Sequence, residues 1–260
     1  MDAVDAFYVP LGAGRFRATE HTAGPWTPDA QHFGPPSALL ARALEEVPAG
    51  REMVLGRVTV EILGPAPVAE LAVRVELARP GRSVELLVAE LVAGDRPVAR
   101  ATAWRFAASD TSEAAAGDAA PLPPPEGCPP ASWPPGWHGG YLDAVEWRTV
   151  AGGTDRSGDT TVWARQRVAL VDGEKPSGLQ RLLTIADSAS GVSARLDPGR
   201  WLLINAELTV HVHRAPVGEW IGMAAATVIG PSGVGTAHST LHDTGGPVGA
   251  GRQALLVRTR

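Results

Sequence analysis

Apolar and polar residues alternate along four consecutive stretches of the first half of the chain: Leu55–Leu63, Ala69–Leu77, Ser83–Leu91 and Pro97–Phe106. A period of two marks strands with one buried face. The turn strings "GPAP", "ARPGR" and "AGDR" separate them. Before the first strand stands "PPSALLARALEEV", from Pro35, where Leu39, Leu40, Ala43, Leu44 and Val47 form one stripe at helical spacing. The second half repeats this order. A helix is predicted over "SGLQRLLTIADSASG", with Ser177 as N-cap and a stripe of Leu179, Leu182, Leu183 and Ala186. Strands are predicted at Trp201–His213, Glu219–Ile229, Gly233–His242 and Val248–Arg258, with "HRAPVG", "IGPSG" and "DTGGP" between them. Shorter strands precede each helix, in "GRFRATE" and "TTVWARQRVAL".

The halves also agree in wording. "VTVEILGPAPVAEL" from Val58 lies over "LTVHVHRAPVGEW" from Leu208 with one residue of slack, which marks an internal duplication. A sheet of four meandering strands can curl around one apolar helix, and two such units can share a continuous sheet and cover each other's edges. The expected fold class is α+β, with each half one helix wrapped by antiparallel strands and Thr59 superposing on Thr209. The boundaries read as an N-terminal repeat over 1–108, a connector over 109–136 and a C-terminal repeat over 137–260. The connector, "SDTSEAAAGDAAPLPPPEGCPPASWPPG", has no periodicity and is semi-rigid where prolines cluster. Trp133 and Trp137 are expected to pin it down.

Composition narrows the function. The chain has 260 residues, 44% of them hydrophobic, enough for one large or two small cores. A net charge of −5 with no basic run excludes nucleic acid as a partner class. No apolar run approaches a membrane span, and the acidic start "MDAVDAFYVP" is not a signal peptide. The single Cys128 can form neither an intrachain disulfide nor a Cys-pair zinc site. A cytoplasmic location is the expectation.

Three strings, "HFGPPSALLARALE", "GRSVELLVAELV" and "ELTVHVHRAPVGEW", together with the closing "GRQALLVR", resemble the acyl-CoA thioesterase II family of double hotdog proteins over nearly the whole chain. The resemblance implies hydrolysis of acyl-CoA thioesters without a covalent intermediate and without a cofactor. A carboxylate, a hydroxyl and a Gln amide would hold one water, which attacks the thioester carbonyl. By position these are Glu207, where the family has Asp, together with Thr227 and Gln253. They are expected to converge at the seam between the halves, near the start of the Pro35 helix. Substrate-binding positions are His32, Gly34 and Ser37. Pro35 stands where the family has a second Gly. Proline suits the first helical turn but brings no N–H, so an oxyanion donor on this helix must come from Ser37 or beyond. The start of the second helix, at Ser177-Gly178, is the other candidate.

Other features have plainer readings. Asp187 and Ser188 end the second helix as cap and solvent residues, and His32 taken alone is a loop histidine. His211, His213 and Glu219 lack a matching partner motif, so no metal is expected. "WHGGY" at Trp137–Tyr141 is a glycine turn, and "GPSGVG" fails the nucleophile-elbow spacing. Two other functions stand beside hydrolysis. One is a hotdog dehydratase or hydratase, with His211 or His213 beside Glu207; the other is a non-catalytic acyl-thioester binding protein. Open sheet edges imply a homo-oligomer.

Overall fold

The computed structural model describes residues 5–117 and 120–260, so parts of the N-terminal stretch (1–4) and of the connector (118–119) lie outside it. The first half contains β1 (Ala6–Gly12), β2 (Arg15–Ala18), the small pair β3 (Ala23–Gly24) and β4 (Thr27–Gln31), and helix α1 (Gly34–Glu45). Strands β5 (Met53–Ile62), β6 (Glu70–Arg79), β7 (Val84–Ala93) and β8 (Arg96–Ala107) follow. The second contains α2 (Gly140–Ala144), β9 (Val145–Ala151), β10 (Thr160–Gln166), β11 (Ala169–Val171), α3 (Gly178–Ala186) and α4 (Ala189–Val192). It closes with β12 (Trp201–Asn205), β13 (Glu207–Val212), β14 (Ile221–Ile229), β15 (Val234–Asp243) and β16 (Gly246–Thr259).

One 14-stranded sheet runs β11-β1-β2-β6-β7-β8-β5-β13-β16-β15-β14-β10-β9, with β12 also paired to β16. The halves join at β5 and β13, which are antiparallel, with Thr59 opposite Thr209. Val58 faces Val210 and Val60 faces Leu208, so the duplication relates each pair to the other and a local two-fold axis passes between the threonines. Their hydroxyls lie 3.1 Å apart. This is the double hotdog expected from the repeat. The halves also interlock, because β1 pairs in parallel with β11 of the second half.

Helices α1 and α3 lie side by side and antiparallel inside the curl. At one end, Glu45 accepts from the Ser177 hydroxyl (2.9 Å) and Gln180 Nε2 (2.7 Å). At the other, Gly34 passes so close to α3 that a Cβ would come 2.2 Å from the Thr184 carbonyl oxygen. The predicted stripes, with Val47 only partly buried, belong to the same core as Val58, Val60, Leu208 and Val210 of the seam strands. Each such large side chain contributes about 1.5–3 kcal/mol. Ser177 is the N-cap, in a capping box with Gln180.

Neither half is the simple meander expected: β5 pairs with β8, not β6, and β13 pairs with β16, not β14, which places both first strands at the seam. Two elements also differ from expectation. The helix predicted through Gly191 breaks at Asp187-Ser188. The strand predicted over Trp201–His213 breaks at Ala206, because Asn205 pairs with Leu255 but Thr209 pairs with Arg252. Three residues, Ala206, Glu207 and Leu208, therefore face two, Gln253 and Ala254, which is a bulge. The connector does more than span. Ala131 N–H donates to the Trp147 carbonyl and Thr149 N–H to the Pro129 carbonyl, which covers the β9 edge. Trp133 packs edge-on against Trp147, centroids 5.3 Å apart, and both Trp133 and Trp137 pack against the core.

Candidate active site

The start of α1 meets the end of α3. In the first turn of α1, Pro35 and Pro36 have no N–H to give. Ser37 spends both its N–H (3.0 Å) and its hydroxyl (2.7 Å) on the Phe33 carbonyl. Ser37 is therefore not the free donor expected of it. The Gly34 N–H remains, and it donates to Nδ1 of His32 at 3.1 Å.

Across from it, α3 ends abruptly. Ser188 N–H turns back to the Ile185 carbonyl, so the Thr184 carbonyl loses its helical partner. Tyr141 supplies one: its hydroxyl donates to Thr184 O (2.8 Å) and lies 2.9 Å from Ser188 Oγ. Its single proton is committed to the carbonyl, so Ser188 is the donor in the second bond. The same phenol ring stacks flat on His32, with centroids 3.8 Å apart and planes at 7°. The glycine turn thus delivers a ring that fixes His32 and the end of α3 together.

Asp187 is buried at this break, not solvated. Its Oδ1 accepts from Asn205 Nδ2 at 2.7 Å and Gln253 Nε2 at 3.4 Å. Its Oδ2 lies 3.3 Å from His32 Nδ1. Gln253 also donates to the Asp187 carbonyl (2.9 Å), while its own Oε1 accepts from Ser190 N–H (3.1 Å), which fixes the amide orientation. Burial pushes the Asp187 carboxyl up to about 7, against the lowering pull of Asn205, the Phe33 N–H and Gln253. Burial likewise pushes His32 down to about 3. Burial thus disfavours the charged form of both partners.

Of the three residues predicted to share a water, only Gln253 reaches this point. Thr227 lies on the same inward row, two strands away across Ala237. It bonds Ser193 Oγ at 2.7 Å, and Ser193 donates to the Ala189 carbonyl, so Thr227 is the donor to Ser193. Sheet spacing separates Thr227 and Gln253 by about 9.5 Å, and both grip α4 and its flanks. Glu207 is elsewhere. It accepts from Ala254 N–H (2.8 Å) and the Thr209 hydroxyl (2.9 Å), on the face opposite the buried Leu208. The bulge is the reason: the extra residue lets both Asn205 and Leu208 point inward and leaves Glu207 outside.

His211 lies opposite Arg57 across the seam, and His213 Nε2 is 3.2 Å from the Pro247 carbonyl. Neither pairs with Glu207; among the described residues the histidine–carboxylate contact is His32–Asp187. Glu219 pairs with Arg165 at 3.7 Å. No group of three metal-ligating side chains forms among the described residues. One signal for Asp187 was present in the sequence. The stripe Leu179, Leu182, Leu183, Ala186 continues at helical spacing onto 187, which places a carboxyl on the buried face.

Residues 125–257 match the acyl-CoA thioesterase C-terminal domain, and residues 22–106 match the acyl-CoA thioesterase N-terminal domain. No curated protein sequence matches the chain. Among solved structures, a conserved hot dog fold protein from Alicyclobacillus acidocaldarius is 18% identical with a TM-score of 0.74, covering 98% of this chain and 97% of that one. An acyl-CoA thioesterase II from Mycobacterium marinum is 16% identical with a TM-score of 0.68, covering 97% and 95%. At such identities these likenesses bear on the fold, while the domain matches, over more than half the chain, bear on descent. The chain belongs to the acyl-CoA thioesterase family.

Proposed function

We propose that the chain hydrolyses acyl-CoA thioesters at the junction of α1 and α3, with Asp187 as the general base. The observation that carries this is a buried carboxyl, raised to about 7, clamped by Asn205 and Gln253 and facing the one first-turn N–H of α1 that is not spent on helix bonding. A base poised near neutrality takes a proton from water efficiently. Gln253 is a positioning residue that holds both the Asp187 main chain and its carboxylate. Thr227, through Ser193, steadies the segment beyond α4. The Gly34 N–H is the donor for the developing oxyanion.

The cluster is buried in this form. Two surface cavities, of about 290 and 390 Å³, are lined by other residues, the larger by Leu44, Met53, Leu179 and Val212 at the opposite end of the helix pair. On its outer side the cluster carries Trp26, 60% exposed and stacked on His32 with centroids 6.0 Å apart.

Purified protein incubated with a panel of acyl-CoA esters and a thiol reagent tests this reading. Asp187→Asn should lower kcat by about 10²–10⁴. Gln253→Ala should lower it about 10²-fold and also cost stability, since it leaves Ser190 N–H and the Asp187 carbonyl unpaired. Full activity in Asp187→Asn would remove Asp187 from the mechanism. The His32–Asp187 contact favours a second reading, hydration of an enoyl thioester, in which the pair moves a proton to or from carbon. Loss of the enoyl absorbance without release of thiol would replace the first reading with the second.

A further inference from the structure

His32 Nδ1 has two neighbours and one site for bonding: the Gly34 N–H at 3.1 Å and Asp187 Oδ2 at 3.3 Å. We propose that the proton state of the His32–Asp187 pair decides whether the Gly34 N–H is available to the substrate carbonyl. The inference rests on the thioesterase reading of the site.

When Asp187 is neutral, its proton must sit on Oδ2, because Oδ1 is occupied by the amide donors of Asn205 and Gln253. Oδ2–H then points at Nδ1, which must be unprotonated, and the ring carries its hydrogen on Nε2. In that state the one Nδ1 lone pair is shared between the acid proton and the Gly34 N–H, and the donor is silenced. When the pair loses one proton to solvent, the carboxylate facing Nδ1 holds the remaining proton there. The ring becomes the Nδ1–H tautomer and donates to Oδ2. It can no longer accept from Gly34, whose N–H is released. A base and an oxyanion donor thus appear in one ionisation. Pro35 and Pro36, with the committed Ser37, leave this as the only first-turn N–H free to be switched. The other groups facing the pair are Tyr141, kept neutral by burial, and the uncharged Asn205, Gln253 and Phe33 N–H.

Wild-type protein labelled with ¹⁵N at histidine and glycine tests this without reference to activity. From about pH 5 to about pH 9, the His32 Nδ1 resonance should pass from the unprotonated to the protonated range. The Gly34 amide proton should move upfield in the same titration, near pH 7. With an acyl-CoA that is turned over, kcat should fall about tenfold per pH unit below that value. Asp187→Asn should abolish both spectral titrations, and the wild-type spectra alone decide the matter if that variant does not fold. A Gly34 amide shift that ignores pH, or an Nδ1 that stays unprotonated throughout, overturns the switch. If no acyl thioester is hydrolysed, the thioesterase reading falls while the spectra still report on the pair.

Discussion

At the scale of single residues, the burial of His32 beside Asp187 predicts that folding moves a proton between them without changing how many the pair holds. Unfolded, between about pH 4 and 6.5, the histidine carries it and the carboxylate does not. Folded, burial places it on Asp187, raised to about 7, with His32 lowered to about 3. The raised Asp187 contributes stability that is complete below its unfolded value and is lost as pH rises toward 7. The lowered His32 contributes stability that is complete above its unfolded value and is lost as pH falls toward 3. The two slopes cancel in the wild type. His32→Gln should uncover the first, with stability falling as pH rises from about 4 to 7, by up to about 1.4 kcal/mol per unit. Asp187→Asn should uncover the second, with stability falling as pH drops below about 6.5. Urea unfolding across this range measures both, and two variants as flat as wild type would rule out the proton transfer.

At the scale of elements, the break between α3 and α4 is the decisive local feature, and Tyr141 maintains it. Without the break, Ser188 N–H would return to the Thr184 carbonyl. Asp187 would then continue an α-helix, losing its present contacts with Asn205 and the Gln253 amide. Tyr141→Phe keeps the ring stacked on His32 but leaves Thr184 O and Ser188 Oγ buried without their partner. We expect a loss of about 1–3 kcal/mol in denaturant unfolding. A variant as stable as wild type would mean that the helix end repairs its own hydrogen bonds.

At the scale of the molecule, the duplication closes most of the sheet. The connector covers β9, and the edge strand β11 has three residues. The outer edges are thus less open than expected from a bare pair of repeats. Among the described residues, β6 keeps one open stretch: β2 pairs only with its Glu70, Leu71 and Ala72, and beyond them Val75 and Leu77 are 41% and 38% exposed. A strand with free backbone groups and apolar side chains templates association. We expect a homo-oligomer joined here, which Val75→Lys with Leu77→Lys returns to the 27.1 kDa monomer in sedimentation. Wild type sedimenting at 27.1 kDa at micromolar concentration would dispose of the idea.

The sequence by itself determined the repeat, the strands of each half, the two apolar stripes and the Ser177 cap. All depend on periodicity or on bonds within a few residues, where local chemistry decides. The family resemblance also picked out Gln253, which the structure buries on the inward face of the last strand. Which carboxylate Gln253 meets was a tertiary matter. Glu207 was expected by position to be that carboxylate, yet a one-residue bulge between β12 and β13 leaves it on the outer face of the sheet, and a bulge has no signature in alternation alone. Asp187 resembled a helix cap, because whether a helix end is wet depends on what packs over it. Here α1, Tyr141 and Asn205 arrive from elements distant in sequence and bury it. Burial raises the carboxyl and lowers the histidine, and that electrostatic consequence belongs to the packing, not to either residue.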